Sequence, residues 1–368
     1  MAWMLVGALG VFIAEDFGLT DTQKGFMVAV PLLGGSLFRV AVGILSDRFG
    51  PRRTGFVSML VVPAPLAWAW LAADSFSQMI GVGLLLGVAG ASFAVSLPLA
   101  SRAYPMAHQG LAMGVAGSGN SGAIISLALA PTLAVQLGWH AVFGIMIPLV
   151  LVTAAAYWLL ARDHEPSDGA ADHRMDFSRI LREPDTYWFC ALYAVTFGGF
   201  VGLSSYLSIF FFFDQYGLSR VEAGMAAAGC ALAGSFSRPV GGFIADRLGG
   251  LRVLSVLYPL IAVLVGVTAF LLPFAITFAA ILAAMACLGM GNGVIFQIVP
   301  RRFRREIGAV SGLIGAAGGL GGFLLVSALG VFRDLTGSYA TGFTAFAAVC
   351  VLIVPVMMLF WRPSLSQT

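Results

Sequence analysis

Long apolar segments, separated by short polar ones, follow one another along almost the whole chain. A helix needs roughly 20 apolar residues to cross a bilayer. Eleven segments reach that length, and they cover residues 25–45, 54–73, 78–101, 109–134, 139–161, 186–212, 221–245, 252–272, 274–298, 308–332 and 338–361. The pattern predicts an all-α polytopic membrane protein.

An apolar stretch from Met1 to Ala14 precedes these segments. At 1.5 Å per residue it covers about 21 Å, less than the roughly 30 Å of a hydrocarbon core. It lacks the basic start and the small-residue cleavage site of a signal peptide. We expect it to be the second half of an incomplete first helix, in a fold of twelve spans.

Basic residues predict the orientation in the bilayer. If the chain crosses as above, fifteen of its 20 Lys and Arg residues lie on one side, and only Lys24, Arg220 and Arg333 lie on the other. Because positively charged loops stay in the cytoplasm, both termini are predicted to be cytoplasmic, in the cell inner membrane. The net charge of +3 follows from these loops, so we predict no nucleic-acid partner.

A long polar stretch divides the chain near its middle. Residues 162–185 carry Pro, Gly, Ser and charges of both signs, a composition typical of a linker. We therefore predict an N-terminal transmembrane bundle over 1–161, a cytoplasmic linker over 162–185 and a C-terminal transmembrane bundle over 186–368. We expect the protein to be a monomer.

Two arginines, Arg39 and Arg238, lie inside long apolar segments. Each costs roughly 2.5–3.5 kcal/mol to insert at mid-membrane and stays protonated, so each needs a functional reason. Both follow a Gly-Ser pair by the same spacing, at an offset of 199 residues. The duplication places one fixed positive charge at the same depth in each half and predicts a carrier for a small anion.

The arginine pattern continues into a duplicated loop motif. The first copy comprises Gly43, Asp47, Arg48, Gly50 and Arg52, and the second comprises Gly242, Asp246, Arg247, Gly249 and Arg252. Both copies resemble the loop signature of the major facilitator superfamily. The resemblance implies the major facilitator fold, which consists of two six-helix bundles related by pseudo-two-fold symmetry.

Two glycine-rich rows occupy equivalent places in the two halves. One row contains Gly117, Gly119 and Gly122, and the other contains Gly315, Gly318 and Gly321. They resemble the paired signatures of the nitrate/nitrite porter family. Glycines at this spacing let helices pack closely, and we expect these rows also to let the helices slide and bend during gating.

The same resemblance implies the substrate-binding residues. Arg39 and Arg238 would hold the anion between them, with Asn120 and Tyr193 as hydrogen-bond donors and Phe93 and Phe197 as ring walls above and below the anion. The substrates implied are nitrate and nitrite. Guanidinium groups suit such flat anions, because they offer planar forks of donors.

None of the 17 acidic residues falls at membrane depth in this topology. A proton-coupled carrier usually has an embedded carboxylate or histidine. We therefore favour nitrate/nitrite exchange, as an antiporter, and keep a nitrate/proton symporter as the alternative. A carrier of the same fold for another small anion, a carboxylate or a phosphate ester, is the second alternative.

No constellation of nucleophile, base or metal ligands is visible, so no enzyme is predicted. The four cysteines lie singly in apolar segments, without the spacing of metal ligands. We predict no metal and no cofactor.

Overall fold

The computed structural model describes residues 1–104, 115–163, 177–303 and 307–359 of the chain. Over these ranges the chain is helical and forms no strand. The helices are α1 Leu5–Ala8, α2 Gly10–Phe17, α3 Asp21–Phe49, α4 Pro51–Val61, α5 Pro63–Leu71, α6 Phe76–Gly90, α7 Phe93–Ala103, α8 Gly122–Leu137, α9 Trp139–Leu160, α10 Phe177–Arg182, α11 Pro184–Tyr206, α12 Arg220–Leu248, α13 Gly250–Thr268, α14 Phe274–Arg302, α15 Ile307–Thr336 and α16 Ala340–Leu359.

Ten helical segments within the described ranges are long and apolar enough to cross a membrane. One of the eleven predicted spans, 221–245, coincides with α12 but is not among these ten helical segments. Its serines, glycines and Arg238 lower its hydropathy. The start of the predicted span 109–134 lies outside the described residues. The predicted span 186–212 corresponds to α11 and to the π-helical segment Leu207–Gln215 that continues it.

The first apolar stretch is a broken helix. A 3-10 turn, Ala2–Met4, leads into α1, and α2 follows after an interruption at Leu9. The side chains from Ala2 to Ala14 are buried. This short stretch is therefore part of the core.

Helices α3 and α12 are structural repeats of each other. Each has 29 residues and begins with a capping box, formed by Thr20 with Gln23 and by Ser219 with Glu222. Such a box satisfies backbone donors at a helix start. Each helix ends at a glycine with positive φ, 86° at Gly50 and 85° at Gly249. The 199-residue repeat of the sequence is thus also a repeat of local structure.

Glycines bring helices of the two halves into close contact. A Cβ atom at Gly43 of α3 would lie 2.8 Å from the carbonyl oxygen of Gly308 in α15. A Cβ atom at Gly224 of α12 would lie 2.5 Å from the carbonyl oxygen of Leu127 in α8. These pairs, α3 with α15 and α8 with α12, enclose the two buried arginines.

Candidate functional site

Arg39 is 1% exposed and donates hydrogen bonds to two backbone carbonyls. Its Nε lies 3.0 Å from the Gly90 oxygen and its Nη1 lies 2.5 Å from the Gly315 oxygen. Gly90 belongs to the first half of the chain and Gly315 to the second. Arg39 therefore joins the two halves through backbone acceptors.

A break between α6 and α7 makes the Gly90 carbonyl available. In a continuous helix the Ala94 N–H would donate to Gly90, but here it donates to Ala91 at 2.9 Å. The Gly90 oxygen then accepts from Arg39. The same break makes Phe93 the first residue of α7.

Arg238 is also 1% exposed and also joins the two halves. Its Nη1 donates to the Gly117 carbonyl at 3.0 Å, and its Nη2 donates to the Tyr193 hydroxyl at 3.1 Å. Its Nε has no partner among the described residues. Each arginine thus reaches a glycine carbonyl in the glycine-rich row of the opposite half.

Neither arginine forms an ion pair with an acidic residue in the described part of the chain. Carbonyl oxygens, one hydroxyl and aromatic faces surround the two charges instead. Such groups satisfy guanidinium donors without neutralising the positive charge. The site therefore keeps a net positive charge in a buried environment, which suits an anion.

Phe93 and Phe197 stack on each other with ring centroids 6.1 Å apart and planes at 30°. The Cζ of Arg39 lies 4.8 Å from the Phe197 ring and 5.9 Å from the Phe93 ring. The Cζ of Arg238 lies 5.2 Å from Phe93 and 5.8 Å from Phe197. Each of the two rings therefore lies close to both guanidinium groups.

Tyr193 completes this cluster. Its ring stacks on Phe197 at 4.9 Å and 8°, one helical turn away on α11. The structure thus brings together five of the six predicted binding residues. The sixth, Asn120, lies in the 3-10 segment Ser118–Ser121 just after Gly117, and its side chain is outside the described part of the structure.

Two aromatic residues of the cluster have no sequence motif that predicts them. Trp3 lies 5.4 Å from the Cζ of Arg39, and Phe296 packs edge-on against Tyr193 at 5.0 Å and against Phe93 at 5.5 Å. Single aromatic residues in apolar segments are common. Their position in the fold, and not their spacing, brings them to the site.

Three of the glycines that we expected to serve gating lie directly on the cluster. A Cβ atom at Gly117 would lie 3.0 Å from the Cζ of Arg238, and one at Gly315 would lie 3.2 Å from the Cδ of Arg39. At Gly318 it would lie 2.6 Å from the Tyr193 ring and 2.9 Å from the Phe197 ring. These glycines leave the space that the binding side chains fill.

A Cβ atom at any of the other three glycines would have neither the arginines nor the stacked rings as its closest contacts. Gly321 packs against the backbone of α11, and a Cβ atom at Gly122 would lie 3.2 Å from the Met1 nitrogen. At Gly119 it would meet nothing within 4 Å. Gly119 lines a cavity of about 390 Å³ that also borders Phe93 and Met146. Gly119 therefore has free space beside it, whereas the equivalent Gly318 is tightly packed.

The two aspartates of the loop motifs have different partners. Asp47 accepts a hydrogen bond from the Ala309 N–H at 2.7 Å, at the start of α15. An acid at a helix N-terminus is favourable because of the unpaired N–H groups there. Asp246 instead pairs with Arg301 at the end of α14, at 3.3 Å. Asp47 thus joins the two halves at the end of the bundle where the loop motifs lie, which we call the motif end.

The motif arginines mostly contact aromatic rings. Arg52 donates to the Trp158 carbonyl at 2.6 Å and lies 4.4 Å from its ring. Arg48 lies 5.2 Å from the Phe49 ring and Arg247 lies 4.1 Å from the Phe243 ring. The side chain of Arg252 is exposed.

Polar contacts also join the halves at the opposite end of the bundle. The Thr22 N–H donates to Asp334 at 2.8 Å, and the Thr22 hydroxyl donates to the same carboxylate. Arg220 pairs with Glu15. Contacts at both ends enclose the arginines, in agreement with their 1% exposure.

A family model described as the Major Facilitator Superfamily matches residues 1–326. The chain belongs to this superfamily. A crystal structure of the E. coli fucose:proton symporter FucP superposes with a TM-score of 0.71, covering 98% of this chain and 96% of that one. At 16% identity this likeness supports the fold alone. The predicted major facilitator fold is confirmed, and the chain is a multi-pass membrane transporter and not an enzyme.

Two curated relatives match nearly the full length of this superfamily member. The "Nitrite extrusion protein" of Bacillus subtilis (strain 168) is 31% identical over 98% of this chain and 91% of its own length. The "Probable nitrate/nitrite transporter NarK2" of Mycobacterium tuberculosis (strain ATCC 25618 / H37Rv) is 33% identical over 100% of this chain and 94% of its own length. The resemblance to the nitrate/nitrite porters is thereby confirmed.

Proposed function

We propose that this protein carries nitrate and nitrite across the cytoplasmic membrane by alternating access. The observation that carries the proposal is the pair of buried arginines, one from each half. Both lie beside the same two stacked rings, and neither has an acidic partner among the residues that the structure describes. The names of the two relatives support the same substrates. Arg39, Arg238, Tyr193, Phe93 and Phe197 bind the anion in this proposal, with Asn120 as a further donor.

The donors left at the site fit a small flat anion. Arg39 uses Nε and Nη1 for carbonyls, and we propose that its Nη2 donates to a substrate oxygen. The Nε of Arg238 meets no partner within the described ranges. Ring walls on either side favour a planar species over a tetrahedral phosphate ester, because flat faces pack closely only against a flat partner.

The coupling that we propose is exchange of nitrate for nitrite. No acidic side chain of the described residues pairs with the arginines, so the site has no evident group to carry a proton. Two guanidinium charges near each other in a low-dielectric site repel, and an anion between them removes that repulsion. A loaded carrier should therefore reorient readily and an empty one slowly.

The movement that we propose is a rocking of the bundle 1–161 against the bundle 186–368, joined by the linker 162–185. The motif end faces the cytoplasm in this proposal, because most of the basic residues lie there. Contacts of Asp47 with α15 and of Thr22 with Asp334 would break alternately as the site opens to each side. The protein acts as a monomer, with both termini in the cytoplasm.

Anion binding to the purified protein tests the substrate assignment. We expect calorimetric titration to show a single binding site, for which sodium nitrate and sodium nitrite compete. Acetate and glycerol phosphate should bind at least tenfold more weakly, because loss of one charge-assisted hydrogen bond costs about 1.5–3 kcal/mol. Tighter binding of acetate or glycerol phosphate would assign the chain to a different small anion.

A further inference from the structure

Two buried amide side chains of α14 have no hydrogen-bond partner in the part of the chain that the structure describes. Asn292 and Gln297 are both 0% exposed. Neither the nitrogen nor the oxygen of either amide meets a partner among the described residues. A buried amide without partners costs roughly 1–3 kcal/mol. At least one of these two residues therefore calls for a functional explanation.

The neighbours of Asn292 define the direction in which it points. A Cβ atom at Gly291 would lie 2.8 Å from Thr196 of α11. At Gly293 it would overlap the Arg238 carbonyl of α12. Because successive residues of a helix point about 100° apart, Asn292 points into the sector between α11 and α12. Arg238 and Tyr193 meet in that same sector.

Phe296 confirms this direction independently. It lies one turn after Asn292, on the same face of α14. Its ring contacts Tyr193 at 5.0 Å and Phe93 at 5.5 Å, two residues of the anion site. The face of α14 that carries Asn292 is therefore the face that borders the site.

We propose that Asn292 is a further substrate-binding residue, whose amide N–H donates a hydrogen bond to an oxygen of the bound anion. The inference rests on the proposed transport of nitrate and nitrite. The amide nitrogen of Asn292 and the Nε of Arg238 are then two unpartnered donors on adjacent helices that converge on one acceptor. The site gains a neutral donor from α14, in addition to the charged donors of α3 and α12.

Gln297 provides a matched control. It is equally buried and equally unpartnered, but its Oε1 lies 3.2 Å from the Cβ position of Gly250, at the start of α13. This contact is on the side of α14 away from Phe93 and Phe197. Removing the amide of Gln297 therefore reports the effect of losing a buried amide that does not face the proposed anion site.

The test compares Asn292→Leu and Gln297→Leu with the unmodified protein. Leucine has as many side-chain heavy atoms as asparagine and one fewer than glutamine, and replacing an unsatisfied amide by an apolar group of similar shape can be neutral or stabilising. We expect both variants to melt at the same or a higher temperature than the unmodified protein without nitrate. Only Asn292→Leu should bind nitrate more weakly in calorimetry, by about tenfold or more. Asn292→Ser, which keeps a donor, should bind better than Asn292→Leu.

The outcomes separate this inference from the function on which it rests. If the unmodified protein binds neither nitrate nor nitrite, the proposed function fails and Asn292 loses its role with it. If the unmodified protein binds nitrate and the two leucine variants bind it equally well, only the role of Asn292 is refuted. Should Asn292→Leu not fold, equal nitrate affinity of Asn292→Ser and Asn292→Ala would refute it as well.

Discussion

Nitrate uptake should fall by roughly 100-fold in Arg39→Lys and in Arg238→Lys, since each loses at least one charge-assisted hydrogen bond of about 1.5–3 kcal/mol. Each guanidinium binds two partners on different elements, and in our proposal it also donates to the anion. A lysine ammonium keeps the charge but lacks the planar fork that spans these positions. The measurement is uptake of labelled nitrate by proteoliposomes loaded with nitrite.

Arg53→Lys is the control for these variants, because Arg53 is exposed at the start of α4. It should transport like the unmodified protein. Size-exclusion chromatography of all three variants should show one symmetric peak, which excludes misfolding as the cause. Normal uptake by either Arg39→Lys or Arg238→Lys would contradict the assignment of both arginines to the anion site.

Gly318→Ala should weaken nitrate binding by about tenfold, because overpacking a tight site costs roughly 1–3 kcal/mol. Its new methyl group would lie 2.6 Å from the Tyr193 ring and 2.9 Å from the Phe197 ring. These rings are rigid and stacked on each other, so they can make room only by leaving their places beside the anion. Calorimetric titration with nitrate measures the loss.

The equivalent substitution in the other half is the matched control. Gly119→Ala lies 199 residues earlier, at the corresponding position of the first glycine-rich row. Its methyl group would meet nothing within 4 Å, so we expect unchanged affinity for nitrate. Equal losses in Gly119→Ala and Gly318→Ala would point to a general need for glycine in these rows during gating, and not to the packing of the rings.

The sequence predicts much of this fold for a physical reason. Hydrocarbon excludes polar groups, so the length of apolar segments gives the helices. The exclusion of polar groups also makes a charge such as Arg39 or Arg238 conspicuous, and the duplicated spacing predicts that both lie at one depth. The loop motifs indicate the superfamily, and the glycine-rich rows indicate the family within it.

The partners of the arginines could not be predicted in the same way. Arg39 binds the carbonyls of Gly90 and Gly315, and backbone acceptors have no sequence signature. The Gly90 carbonyl is available only because the helix breaks after it, within the predicted span 78–101. Phe296 and Trp3 reach the site through the packing of whole helices, which local patterns do not encode.

The two halves also differ more than the repeat suggests. Arg238 donates to a tyrosine hydroxyl and Arg39 does not, although the two arginines occupy equivalent positions. Asp47 binds the start of α15, whereas Asp246 pairs with Arg301. The sequence repeat therefore does not extend to the partners of these side chains.

Uptake of labelled nitrate by proteoliposomes, with and without nitrite inside, tests the central claim most directly. The claim is that two unneutralised arginines make the carrier an exchanger of nitrate for nitrite. We expect rapid uptake into vesicles loaded with nitrite or nitrate, little uptake into vesicles loaded with gluconate, and no change when the pH gradient is collapsed. Accumulation of nitrate in the gluconate vesicles, driven by a pH gradient, would contradict the claim and identify a proton symporter.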